Sequence, residues 1–234
     1  MRVKAEVLVA DFRSQVLDMV EPYFWSEAEI LRYLDKGQKR FCRDGIAIVD
    51  SRTDEVVRLP FKAGDSTVTY HESIVRIRTA KLESNHRGVE IKTQDQYLGS
   101  FDSRGVSRDY GRAANPGTQL EQTGEIRHMF IDYEEEFIRF SRIAENDDVL
   151  LLHVERGPIN TLDSCSVYLE IKEDYHQAVL EWAYHLAFSK QDSETFDMKK
   201  ADTGAENFDR EVALAQRSHR KRHGRVGKVR YGGI

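Results

Sequence analysis

The hydrophobic period of this chain changes twice, and that double change restricts the fold more than any other property of the sequence. Near the N-terminus Val9, Phe12, Val16 and Met19 recur at spacings of three and four, which a helix gathers onto one face. Pro22 ends that run. A second helix is announced by Ser26 with Glu29 three residues on, the pattern of a capping box, while Trp25 before the cap can pack on Ile30 after it. Its apolar face continues through Leu34 to Phe41, and Gly45 marks the stop.

From Ile46 to Ile171 the period falls to two. Val57, Leu59 and Phe61; Val68 and Tyr70; Val75, Ile77 and Thr79; Leu150, Leu152 and Val154; and Cys165, Val167, Leu169 and Ile171 alternate with their neighbours as half-buried antiparallel strands do. Turn-forming Ala63-Gly64-Asp65, Asn85-His86-Arg87-Gly88 and Arg156-Gly157-Pro158 separate them. The stretch from Gly99 to Gly124 is rich in Gly, Ser, Asn and Arg and has little periodicity. It is too long for an idle connection and reads as a projecting or partner-ordered loop.

The helical period returns with Tyr175, Val179, Trp182 and Leu186. After a break at Gln191-Asp192-Ser193 it resumes as Met198, Ala201, Ala205, Phe208, Val212 and Ala215, a heptad-like seam with small residues along it. Small side chains admit another helix closely, and the preceding helix is the favoured partner over the same element of another copy.

The expected fold class is therefore α+β: terminal helices form a helical body, an antiparallel β-domain is inserted between them, and a basic C-terminal arm extends beyond. The boundaries expected are 1–45 and 172–218 for the helical body, 46–171 for the β-domain with its long loop 99–124, and 219–234 for the arm. An insert that returns to its starting point brings the two terminal segments together, so Trp25 and Trp182, the only two tryptophans, are both expected to be largely buried.

Charge divides the chain differently. Seven of its 35 basic residues and none of its 40 acidic ones lie in the last eighteen positions, leaving 28 basic against 40 acidic, net −12, in residues 1–216. The seven are Arg217, Arg220, Lys221, Arg222, Arg225, Lys228 and Arg230, interleaved with Val226, Val229, Tyr231 and Ile234. An acidic body with a basic end suits association in which one molecule's arm lies on a partner's acidic surface.

Several functional classes find no support. Apolar runs such as Val149–Leu152 fall far short of the ~20 residues a membrane-spanning helix needs, and Met1-Arg2-Val3-Lys4 leads into no signal-peptide core. Cys42 and Cys165 are too few for a disulfide framework or a cysteine-based zinc site, so a reducing cytosolic origin is expected. Phosphate-loop, dinucleotide, zinc-protease and nucleophile-elbow motifs do not occur.

Scattered candidates remain. The acidic run Asp132, Glu134, Glu135 and Glu136 offers oxygen ligands, but consecutive residues of a strand point to alternate faces, so a solvated turn is the better reading. His219 and His223 share a helix face, yet Arg220, Lys221 and Arg222 beside them repel a cation. His153, Asp163 and Ser164 supply triad residue types without triad context. Arg76, Arg78 and Lys81 read as the wet side of a strand, and no known nucleic-acid module accompanies them. The sequence thus implies a non-enzyme without cofactor or metal; a nucleic-acid-binding protein that uses its basic arm is the alternative.

Taken along the chain, the arrangement resembles the head-to-tail adaptor, or connector, proteins of tailed phages, and is similar to the tail tubular protein A group of podoviruses. The residues that carry the resemblance begin with Asp11, Arg13 and Asp18 of the opening helix, then Pro22-Tyr23-Phe24-Trp25-Ser26, Tyr33 and Asp50-Ser51. Tyr175-His176, Glu181-Trp182-Ala183, Asp192-Ser193-Glu194-Thr195, Ala201 and Phe208 follow in order. Asn115-Pro116-Gly117 in the long loop comes without the tryptophan that the resemblance leads one to expect as the anchor for docking the next tail component. The resemblance implies a structural virion protein of the neck between capsid and tail, present in the host cytoplasm during assembly. It implies a homo-oligomeric ring, a dodecamer, seated under the portal protein, with a downstream tail or nozzle protein beyond and genomic DNA passing through non-specifically. Helices would form the wall of the channel, the β-domain would lie outward, and Arg217, Arg220, Lys221, Arg222, Arg225, Val226, Lys228, Val229, Arg230, Tyr231 and Ile234 would dock on the portal.

Overall fold

The computed structural model describes residues 3–93, 122–191 and 195–223. The chain forms two compact units, 1–48 with 157–234, and 49–156.

The first unit is helical. Helices α1 (Ala5–Val16), α2 (Glu27–Asp44), α4 (His176–Phe188) and α5 (Met198–His223) compose it, with a 3-10 turn, Glu173–Tyr175, leading into α4. Helix α4 is central: α5 packs along it, and α2 and α1 cover its other sides. Leu8, Phe12, Trp25, Ile30, Leu34, Phe41, Val179, Ala183 and Phe208 share one core. Each fully buried large side chain among them contributes about 1.5–3 kcal/mol by leaving water.

Local signals explain the helix ends. Ser26 Oγ accepts from the Glu29 N–H, and the Glu29 carboxylate accepts from the Ser26 N–H, so the capping box starts α2 where the sequence places it. Helix α1 stops earlier than its apolar spacing suggests. Leu17 turns left-handed at φ 60°, the Leu17 and Asp18 N–H groups bond back to Ser14 and Arg13, and Met19 is exposed. The stop is fixed by Asp18, whose buried carboxylate accepts from Arg13 Nη1 at 2.9 Å, Phe24 N–H at 2.9 Å and Trp25 N–H at 3.4 Å.

The seam of α5 packs on α4 within the chain, with Ala201, Phe208, Val212 and Ala215 buried. Gly204, one position before the expected Ala205, sets the spacing. A Cβ there would lie 2.9 Å from the Glu181 carbonyl oxygen. On the other side of α4, a Cβ on Gly37 of α2 would lie 2.9 Å from the Val179 carbonyl oxygen. Trp25 is buried, meeting Phe12 and Phe188 edge-on. Trp182 is only half-buried, contrary to expectation; one face of its indole is covered by the Arg40 guanidinium, 4.1 Å from the ring centroid.

Residues 165–171 do not form the expected strand. Leu169 and Ile171 are buried, but the backbone is spent elsewhere: the carbonyls of Val167 and Cys165 accept from the N–H groups of Ala5 and Glu6, the orphan donors that open α1. The second boundary between units accordingly falls after Arg156, not after residue 171.

The second unit holds most of the strands. They are β1 (Ile48–Asp50), β2 (Arg58–Phe61), β3 (Thr67–Thr69), β4 (Ile74–Leu82), β5 (Gly88–Lys92), β6 (Thr123–Gly124), β7 (His128–Glu134), β8 (Phe137–Phe140), β9 (Ile143–Ala144) and β10 (Asp148–Arg156), with a one-turn helix α3 (Asp54–Val57) before β2. The main sheet runs β1-β10-β4-β5-β7-β8-β3, β2 also pairs with β10, and β6 pairs with β9. The main sheet is mixed and not purely antiparallel, since β5–β7 is parallel, as is the separate β6–β9 pair.

Alternation holds along β10, where Leu150, Leu152 and Val154 are buried. It fails along β4. The β4–β10 register skips Arg78 and Val75, so the strand bulges twice. Ile77, Ala80 and Leu82 point inward, whereas Val75 and Thr79 are exposed.

Candidate interaction surfaces

The structure places the basic C-terminal residues in two groups. Arg217, Arg220, Lys221 and Arg222 belong to helix α5, which runs to His223, so the arm begins later than the expected position 219. Arg225, Val226, Lys228, Val229, Arg230, Tyr231 and Ile234 lie outside the described residues.

On α5 an outer stripe follows the helical repeat. Arg210, Ala213, Leu214, Arg217, Arg220 and Lys221 are all exposed, at spacings of three and four that put them on one face. No carboxylate among the described residues forms an ion pair with Arg217, Arg220 or Lys221. Cations in a last helical turn sit at the negative end of the macrodipole, which favours helix over coil up to His223.

A second surface lies on α1 and the loop after it. Glu6, Val7, Ala10, Asp11 and Ser14 form the exposed side of α1, and Leu17, Met19, Val20, Tyr23 and Phe24 are exposed in the loop. Large apolar side chains in such density are unusual on a monomer surface. The Asp18 bonds hold the loop shut, and Arg13 lies 3.8 Å above the Tyr23 ring. Sequence reading missed this surface, although the Asp18 to Trp25 interval carries its signal: an acid able to bond backbone beside a run of apolar residues that no helix absorbs.

Between the last turn of α1, α4 and the first turns of α5 runs a groove of about 440 Å³ lined by Gln15, Val16, Tyr184, Phe188, Thr203 and Asn207 among others. Tyr184 stacks on Phe12 at 5.2 Å, and its buried hydroxyl has no hydrogen-bond partner among the described residues. Burial, and then the Glu181 and Asp11 carboxylates, push its phenol up.

The other candidates disperse. Asp132 and Glu134–Glu136 lie exposed on the β7–β8 hairpin, and no group of three or more His, Cys, Asp or Glu side chains among the described residues is arranged to hold a metal. His153 lies on β10 of one unit and Asp163 and Ser164 in the other. Arg76, Arg78 and Lys81 are exposed on β4, where Arg78 pairs with Glu155 at 2.6 Å. Burial, followed by the neighbouring Glu27, pushes the Cys165 thiol up to about 11, leaving little of the thiolate that nucleophilic chemistry needs. No helix among the described residues is long and apolar enough to cross a membrane.

Comparison with curated proteins finds no match. The family model described as SU10 adaptor protein matches residues 5–230, nearly the whole chain, so the match spans both units and the basic stripe of α5. The chain therefore belongs to the SU10 adaptor protein family and is a structural adaptor of the phage head–tail junction.

Proposed function

We propose that the protein assembles as a ring of twelve copies between the portal and the downstream tail or nozzle protein, in the neck of the virion, after a cytoplasmic life in the host. The C-terminal arm is its fastening on the portal. One observation carries this reading: beyond the end of α5 at His223 the sequence combines Arg225, Lys228 and Arg230 with Val226, Val229, Tyr231 and Ile234 and holds no acidic residue. Phosphate binding needs the cations and has no use for the four apolar side chains, whereas a groove on an acidic protein uses both. The acidic remainder of the chain suits a conduit as well, because a negative wall does not hold the phosphates of a passing genome.

Truncation after His223 tests the fastening while leaving α5 whole. The shortened protein is expected to keep its helical circular dichroism and to lose co-sedimentation with the portal. Tyr231→Ala with Ile234→Ala is expected to weaken docking with every positive charge in place. Normal docking of the truncated chain would overturn the assignment. Tight, salt-sensitive binding of duplex DNA by the full chain, lost on truncation while portal docking persists, would favour the nucleic-acid reading of the arm instead.

A further inference from the structure

We infer that the outer face of α1 with its following loop docks on the outer stripe of α5 in a second copy of this chain. The inference rests on the ring reading and assigns the two faces that meet between neighbours. It also divides the basic end: the helix-borne Arg217, Arg220 and Lys221 serve the neighbouring copy, and the residues after His223 serve the portal.

The two faces match in charge. Helix α1 presents Glu6 and Asp11, and the loop adds Glu21, all exposed. The α5 stripe presents Arg210, Arg217, Arg220 and Lys221, and its only acidic neighbour in the last half of the helix is the half-buried Glu211. Oppositely charged patches of this kind steer association and set its register.

They match in length and in apolar content. Helix α1 has twelve residues, and the stripe from Arg210 to Lys221 covers the same number, about 18 Å at ~1.5 Å per residue. Val7 on α1 and Leu214 on α5 are each 49% exposed, and beyond α1 the loop holds out Leu17 at 85% and Val20 at 79%. Beside Leu214 is a hollow of about 300 Å³ lined by Phe41, Tyr175, Ala178 and Ala215, with Asp174 and Ser218 at hand, large enough for an aliphatic side chain from that loop.

Within one copy the two faces do not pair: among the described residues no ion pair joins Glu6 or Asp11 to Arg210, Arg217, Arg220 or Lys221. Because the two faces differ, the contact is head-to-tail, the type of interface that repeats around a ring when its rotation closes.

Charge reversal in the full-length chain tests this. Glu6→Lys with Asp11→Lys makes one variant, and Arg217→Glu with Arg220→Glu makes the other; all four positions are exposed, so folding is checked simply by circular dichroism. In sedimentation velocity at low ionic strength the unmodified protein is expected to associate with rising concentration and to dissociate in high salt. Each variant alone is expected to associate at least tenfold more weakly. An equimolar mixture of the two is expected to recover association, since each reversed face then meets its complement. Unaltered association of either variant, or a mixture that does not recover, overturns the assignment and leaves the ring reading in place. A wild-type chain that stays monomeric at every concentration also overturns it, and portal docking measured separately then decides whether the adaptor reading survives.

Discussion

Asp50 and Arg156 stand at the two ends of the β-unit and are joined by a 2.6 Å hydrogen bond from the arginine Nε to the carboxylate, with both side chains 8% exposed. The same carboxylate accepts from the Thr53 hydroxyl at 2.6 Å and from the Arg52 and Thr53 N–H groups, starting the turn of α3. The pair ties the strand that enters the unit to the strand that leaves it. Asp50→Ala removes the carboxylate paired with a buried guanidinium and is expected to cost about 3–5 kcal/mol in denaturant unfolding. A loss below about 1 kcal/mol would show that water replaces the carboxylate.

The same residue predicts an acid limb. Burial alone raises the Asp50 pKa, but the bonds from Thr53, Arg52 and Arg156 outweigh it and hold the carboxyl well below its ordinary value of 3.8. Its contribution is therefore complete above that value and is lost as pH falls toward the lowered folded value, because the unfolded chain takes up the proton first. Glu29 and Glu125 are lowered as well, so the informative quantity is a difference. Stability measured between pH 5 and 2.5 should fall more steeply for the native chain than for Asp50→Asn, and parallel slopes would refute the assignment.

Gly204→Ala sets two effects against each other. Helix propensity favours alanine by about 1 kcal/mol, but the added Cβ meets the Glu181 carbonyl at 2.9 Å and the His185 nitrogen at 3.0 Å, both backbone atoms. Overpacking of this kind costs about 1–3 kcal/mol, so a net loss of stability is expected. Gly88→Ala, where a Cβ meets nothing within 4 Å, is the control and should be near neutral. A Gly204→Ala chain that melts higher than the parent would show that α4 and α5 separate without penalty.

The two tryptophans should not be equivalent. Trp25→Ala empties a buried site between Phe12 and Phe188 and is expected to cost about 3–5 kcal/mol. Trp182→Ala removes a half-buried ring between Arg40 and Phe208 and should cost about half as much, including the cation–π contact. Equal losses by thermal unfolding would contradict the packing described.

The legible part of this fold is the part dictated by local chemistry. Ser26, Glu29, Trp25 and Ile30 announce α2 because every partner lies within one turn, and Leu150, Leu152 and Val154 announce β10 because both its sides obey one period. Bulges hide from such reading. Val75, Ile77 and Thr79 alternate in sequence, yet the skipped residues opposite β10 turn Val75 and Thr79 outward and bring Ala80 in. Cys165–Ile171 alternates too, but its carbonyls belong to α1, a demand that arises more than a hundred residues earlier in the chain. The α1 surface was illegible for a related reason: Met19 continues the helical spacing, and only the tertiary bonds of Asp18 reveal that the helix has already ended.

The capping of α1 by Val167 and Cys165 has a consequence for synthesis. The N-terminal helices leave the ribosome long before the carbonyls that cap α1 and the central helix α4 that α1 and α2 cover. The β-unit, whose first and last strands are both made by Arg156, can close while α1 and α2 still wait with their apolar faces uncovered. From the emergence of Arg156 until α4 and α5 follow, the nascent chain is therefore a closed β-body joined to an unfinished helical one. Its folding is complete only when α4 and α5 emerge, so the last segment made also decides when the first segment becomes safe from aggregation.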